Sequence, residues 1–359
     1  RRAMFKNLGM EGDQNVKKKR FLWVRDKVFM SILAERVRDF EKQVNYIFEI
    51  VEVLKEGEHS TELNPDGFVH RDLTATEKNL FNFGMKGLLA KKRLAWRTVV
   101  EEERTLREEL TKFRCFLQEQ HEEGAGDSFE DDKKAAKQEA EFTLKIRMSK
   151  FQRRKIEDEV TAWCDRAVEA IFALYHNGQQ ERILPSESRI FYLKMEADLN
   201  RYKLEILHFE YDQCRLRREM FEDADEFKQL REDTKDIYLR GCEEVENLEA
   251  SNKLRLGLML NYSVFLYEIC EQVDDARFIA KKSFDEALKL LPHMQDEADV
   301  DEILPVLQAL RDNYEVWAVD VVSDSKKAEL AEMKERERVQ KLQLQHKGIQ
   351  RAKAINSLN

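Results

Sequence analysis

Residues Thr74–Arg97 read TATEKNLFNFGMKGLLAKKRLAWR. Thr74 followed three residues later by Glu77 has the spacing of a capping box, in which each side chain bonds the other residue's backbone N–H, and the helix it opens is predicted to run to about Gln120. Within it, Arg93 and Arg97 lie 7 and 11 residues after Lys86. At 100° per residue these offsets place the three cations within about 20° of one line along a single face. Like charges aligned this way repel by a few tenths of a kcal/mol per neighbouring pair. Either the stripe is a solvated basic face, which nearby Lys91 and Lys92 would suit, or an anion or a set of carboxylates lies opposite it.

Composition narrows the fold class to all-α. Of 359 residues, 37% are charged and 42% hydrophobic, and only 4 are Pro and 12 Gly, too few turn-forming residues for a protein of many short strands. The mean hydropathy is -0.66. The longest uncharged stretch, Leu256–Tyr267, is interrupted by Asn261 and Ser263, so no transmembrane span is predicted. No secretory signal is recognisable at the N-terminus. The five cysteines, at 115, 164, 214, 242 and 270, form no CxxC pair and read as reduced thiols of a cytoplasmic protein. Seven dispersed histidines suggest no metal site. The chain carries no Gly-rich phosphate loop, GxSxG or HExxH, so neither an enzyme nor a cofactor is expected. With 62 Lys+Arg against 71 Asp+Glu, a net charge of -9 argues against nucleic acid as a partner.

Three regions follow along the chain. Residues 1–26 are basic, with the run Lys17–Arg20, and are expected to form an irregular arm. Residues 27–322 form the helical domain. Helical periods are carried by Val28, Ile32, Leu33, Val37 and Phe40, and then by Val44, Ile47, Val51 and Leu54. A loop is expected over 56–73 around Pro65-Asp66-Gly67, and an acidic, Gly-containing turn over 121–132. A long helix is predicted over 133–174, another from Pro185 with breaks near Asp223 and Ser251, and further helices over 252–272, 274–291 and 300–322. Residues 323–359 form a charged tail whose last part carries Lys341, Lys347, Arg351 and Lys353 without an acid.

Several spaced motifs are similar to those of one family. Arg93-Leu94-Ala95-Trp96-Arg97 preceded by Lys86, and Ser188–Met195 followed by Arg201-Tyr202, resemble the phosphopeptide-binding helices of the 14-3-3 family. LRLGLMLNYSVFLYE at Leu254–Glu268, Ser283–Ala287, Leu310–Asn313 with Trp317, and Ala34-Glu35 with Phe40 extend the resemblance over about residues 30–322. The resemblance implies nine antiparallel helices around a concave groove that holds an extended segment bearing phosphoserine or phosphothreonine. Lys86, Arg93, Arg97, Arg201 and Tyr202 would bind the phosphate, and Asn261 and Asn313 the ligand's main chain. Lys194, Leu260, Val264, Val306 and Trp317 would line the walls, with ordinary core packing as the alternative for Leu260 and Trp317. Asp198 and Glu205, at i−3 and i+4 from Arg201, are placed to hold the empty arginines. Guanidinium forks suit a group of about -1.5 to -2 charges and three acceptor oxygens.

The chain also departs from the family. Pro305 and Ala309 replace leucines of the groove wall, and Ala95 a serine that controls the dimer in many members. An insertion of about residues 106–145 separates the third and fourth helices. Asp39 and Lys42 reverse the charges of the family's dimer salt bridges, while their expected partners Glu159 and Lys155 keep theirs, and Gln152 replaces an interface tyrosine. A monomer or an atypical homodimer is therefore expected. The family accepts phosphoserines one or two residues from a free C-terminus, and Ser357 has that layout, so the tail is a candidate internal ligand. The expected function is a phosphorylation-dependent adaptor for client proteins, cytoplasmic with nuclear presence open. The alternative is a non-catalytic helical scaffold or membrane-surface protein with a vestigial groove.

Overall fold

The capping box closes as the sequence requires: Thr74 N–H donates to Glu77 Oε2 at 2.8 Å and Glu77 N–H to Thr74 Oγ1 at 3.3 Å. In the computed structural model, which describes residues 13–56, 72–122, 129–177, 180–181, 184–218, 220–221, 223–294 and 300–319, it opens a 48-residue helix, Ala75–Glu122. Nine α-helices occur among the described residues: α1 Asp13–Arg36, α2 Phe40–Glu56, α3 Ala75–Glu122, α4 Phe129–Tyr175, α5 Ser186–Arg217, α6 Ala224–Val245, α7 Lys253–Glu268, α8 Val273–Leu290, and α9, residues 300–319. The all-α, nine-helix expectation is met. Beside the helices stands one antiparallel pairing of two-residue strands, β1 His176–Asn177 with β2 Gln180–Glu181. The loop over 56–73 falls mostly, and the tail with Ser357 wholly, outside the described residues; of the turn expected over 121–132, residues 121–122 and 129–132 are helical and 123–128 lie outside them.

Some boundaries differ from the sequence reading. α1 begins at Asp13, so the basic run Lys17–Arg20 is helical rather than part of an irregular arm. Lys and Arg are good helix formers, and no Gly or Pro interrupts residues 13–36. Pro185 is the N-cap of α5, one position earlier than expected, with φ -53° and ψ 146°. The insertion consists of two helix extensions, as the helices predicted to about Gln120 and from 133 implied, although α4 begins earlier, at Phe129. Trp96 Nε1 bonds Glu157, Arg153 bonds Glu103, and Phe113 meets Phe142 at 6.0 Å, so residue numbers rise on α3 as they fall on α4. The antiparallel pair continues outward to Arg114 and Glu139.

The chain divides into two units, Arg1–Ile237 and Tyr238–Asn359. The core of the first gathers Val44, Ile47, Phe48, Ile50 and Val51 of α2 against Phe81, Met85, Leu89 and Trp96 of α3 and Val160, Cys164 and Ile171 of α4. α2 crosses α3 closely because Gly84 has no side chain. A Cβ there would stand 2.8 Å from Val44 Cγ2 and 3.1 Å from Gln43, both of which are fully buried. Asp39 caps the N-terminus of α2, accepting from Lys42 N–H at 3.2 Å, while Arg38 just before it takes φ 56°. In the second unit, Tyr238 stacks on Tyr262 at 5.3 Å, and Asn252 caps α7 by accepting from Leu254 N–H at 2.9 Å.

Gly84→Ala is expected to destabilise the protein by about 1–3 kcal/mol through overpacking, although alanine adds up to about 1 kcal/mol of helix propensity. Urea unfolding measures it; unchanged or raised stability would contradict the close crossing.

Candidate functional site

α3 and α5 place the cationic residues of the first unit side by side. On α5, Lys194, Asp198, Arg201 and Glu205 follow one another at spacings of 4, 3 and 4, so they share one face with Tyr202 at its margin. Glu205 reaches across to α3. Its Oε2 accepts from Arg93 Nε at 2.7 Å and also meets that residue's Nη2, and its Oε1 accepts from Arg97 Nη2 at 2.6 Å. One carboxylate therefore spans the two arginines that stand a helical turn apart. Arg93 is mostly covered, at 18% side-chain exposure, whereas Arg97 is open at 57%. The Tyr202 ring lies under both neighbouring guanidinium groups, 4.2 Å from Arg93 Cζ and 4.8 Å from Arg201 Cζ. Its hydroxyl pKa is raised by burial and then by the Asp198 charge, so it remains an O–H donor.

Asp198 is the second counter-charge. It is buried and accepts from Lys194 Nζ at 2.7 Å. Burial alone would raise its pKa, but the Lys194, Arg201 and Lys86 charges overcome that and hold it below the ordinary carboxylate value. Arg201 is itself buried at 7% exposure, and Lys86 is exposed. Lys86, Arg93, Arg97, Lys194 and Arg201 thus gather around the Asp198 and Glu205 carboxylates. Guanidinium and ammonium donors grouped in this way suit a phosphate in charge and in acceptor count.

Glu205 pairs with Arg93 and Arg97 on another helix, a partnership that spacing along α5 did not suggest, while the Asp198 carboxylate bonds Lys194 and lies in the field of the Arg201 charge three residues away. Spacing along one helix cannot reveal a bond to a second helix. The stripe Lys86–Arg93–Arg97 is therefore not merely a solvated face.

Asn261, Leu260 and Val264 lie on α7 and Val306, Asn313 and Trp317 on α9, all in the second unit and all half-buried except Trp317. Trp317 is 5% exposed and stacks on Tyr267 at 4.6 Å, so its side chain is core packing rather than an open wall. Pro305 is exposed and Ala309 half-buried. The reversed charges at 39 and 42 also read differently in three dimensions. Asp39 and Lys42 pair with each other at 2.6 Å, and the Asp39 pKa is lowered by that hydrogen bond. Glu159 is held by Lys92 at 2.7 Å. Asp39 and Lys42 thus pair within the turn between α1 and α2.

Sequence reasoning missed a buried network beside the site. Arg153 donates to Glu103 at 3.0 Å and to Glu157 at 2.5 Å, and Trp96 Nε1 donates to Glu157 at 2.8 Å. Among the described residues no His, Cys, Asp or Glu group is placed to hold a metal ion, and no helix is long and apolar enough to cross a membrane.

The sequence model of the family described as 14-3-3 protein matches residues 40–318. "14-3-3 protein 2" of Entamoeba histolytica is 27% identical over 299 residues, covering 83% of this chain and 98% of its own. "14-3-3-like protein GF14-C" of Oryza sativa subsp. japonica is 29% identical over 301 residues, covering 83% and 92%. "14-3-3-like protein F" of Nicotiana tabacum is 29% identical over 296 residues, covering 82% and 90%.

Asp198→Asn should destabilise the protein by about 2–4 kcal/mol, because Lys194 would be left covered without a counter-charge. Since the folded pKa is depressed, the stabilisation is present above the unfolded value of about 3.9 and lost as pH falls through the folded one. Acid titration of wild type and variant checks this. An Asp198 midpoint at or above the unfolded value, by NMR, would contradict it.

Proposed function

The chain belongs to the 14-3-3 family of non-catalytic adaptors for phosphorylated proteins, and from that premise we propose that it grips phosphoserine or phosphothreonine of its clients with Lys86, Arg93, Arg97, Arg201 and Tyr202. The observation that carries this reading is the Glu205 bridge. Its one carboxylate joins Arg93 and Arg97, a helical turn apart, within a cluster of cations on α3 and α5. A phosphate offers those guanidinium groups bidentate, charge-assisted bonds that a single carboxylate divides between them. Asn261 and Asn313 are proposed to bond the client's main chain, with Leu260, Val264, Val306 and Lys194 flanking it. A scaffold with a vestigial groove would have no use for the cluster.

Two finer readings rest on the sequence. Phosphorylated Ser357 would compete with clients for the same cations: a tether of about 37 residues from Val322 gives an effective concentration in the high micromolar to millimolar range. A protein phosphorylated there should therefore bind a fluorescent phosphopeptide more tightly once residues 350–359 are deleted, and equal affinity would remove autoinhibition from the account. For association, a monomer or an atypical homodimer remains our reading, in a cytoplasmic setting. Sedimentation at micromolar concentration decides between the two states.

Arg97→Ala is expected to weaken phosphopeptide binding by about 30- to 1000-fold, the loss of about 2–4 kcal/mol from one arm of the clamp. Arg201→Ala should do the same. Calorimetric titration with helicity checked by circular dichroism provides the test, and binding within twofold of wild type in either variant would overturn the assignment.

A further inference from the structure

α3 continues well past the cationic cluster. Val100, Arg104, Arg107 and Thr111 follow Arg97 on successive turns and stay within about 80° of it around the helix. On α5, Phe209 and Gln213 stand four and eight residues beyond Glu205 on the same side. The two stripes flank an open cavity of about 450 Å³ lined by Val100, Thr111, Phe209 and Gln213 and by the charged residues of α3 between Glu103 and Lys112, in line with the cluster. Its outer half is supplied by the part of α3 that the insertion adds.

The chemistry of this cavity differs from that of the cluster. Val100 packs on the core of the first unit, and Phe209 is fixed edge-on against Trp96 at 5.4 Å, so the floor is apolar and rigid. The arginines at its rim already have carboxylates: Arg104 holds Glu101 and Glu108, each at 2.5 Å, and Arg107 holds Glu103 at 2.6 Å. The Val100 and Phe209 floor, with Arg104 and Arg107 already paired at its rim, favours an uncharged apolar side chain over a second phosphate. Arg104 and Thr111 lie 7 and 14 residues beyond Arg97, which is about 10 and 21 Å along the helix. An extended peptide at about 3.3 Å per residue covers that in roughly three to six residues.

We propose that the client's own chain runs on from the phosphate along this lane, and that an apolar side chain three to six residues from the phosphoresidue fills the cavity between Val100 and Phe209. The proposal rests on the phosphopeptide reading given above and adds the specificity of one flank. The fit is by continuity: the same two helix faces that carry the cationic cluster carry the cavity, without a break.

The test uses the full chain and a short phosphoserine peptide. The peptide is lengthened by six residues on its N-terminal or its C-terminal side, with leucine and phenylalanine or with glycine and serine at positions three to six. One of the two apolar extensions should bind about tenfold more tightly than its glycine-serine counterpart. That ratio, measured within each variant, should fall to about one when the cavity is filled from α5 by Gln213→Trp or from α3 by Val100→Trp. If the short phosphopeptide binds but neither extension gains more than twofold, the lane is not used. A gain that persists in both filled variants would place the flank elsewhere. If the short phosphopeptide does not bind at all, the phosphate reading fails and this proposal falls with it.

Discussion

Keeping Lys86, Arg93 and Arg97 on one face of α3 is tolerable only because α5 supplies two carboxylates, and the two do different work. Glu205 is partly exposed and divides its oxygens between Arg93 and Arg97, Arg97 being open to water. Its arm to Arg97 is the solvated one, and a pair of that kind is worth about 0–1 kcal/mol. An incoming dianion can displace it at small cost and then exploit arginines that are already aimed. Asp198 is buried under Lys194, and removing it would strand a covered charge. One carboxylate is thus exchangeable and the other permanent, which suits a site that must be stable when empty and receptive when a ligand arrives.

The ground under the cluster is equally constrained. Arg153, almost wholly buried, ties Glu103 of α3 to Glu157 of its own helix, and Trp96 donates to the same Glu157 between two residues that face α5. Any rotation of α3 that carried Arg93 and Arg97 away from Glu205 would break these bonds and leave buried charge unsatisfied. The same network lies at the base of the extended α3–α4 pair, so the insertion grows from a locked foundation.

Much of this was legible in the sequence because it is local. The Thr74/Glu77 box, the stripe of cations and the helix breaks near Asp223 and Ser251 all follow from spacing within a few turns. The start of α1 was missed because its first turns carry Lys17–Arg20 and no apolar period, leaving only helix propensity to mark them. Cross-helix partners were the other gap. Glu205 was assigned to Arg201 on its own helix, and the bond between Asp39 and Lys42 within one turn was not read. Trp317 shows the same limit: its stripe suited a groove wall, while its ring is packed on Tyr267. Periodicity ranks faces of a helix but does not say what covers them.

The central claim is that this chain recognises a phosphoryl group through the cations that Glu205 and Asp198 hold. The most direct measurement is a calorimetric titration of the wild-type protein with a phosphoserine peptide and with its unphosphorylated twin at moderate salt. The account predicts a phosphopeptide affinity in the micromolar range or tighter, at least about 100-fold above that of the twin, a difference near 3 kcal/mol. Equal affinities for the two peptides would contradict it.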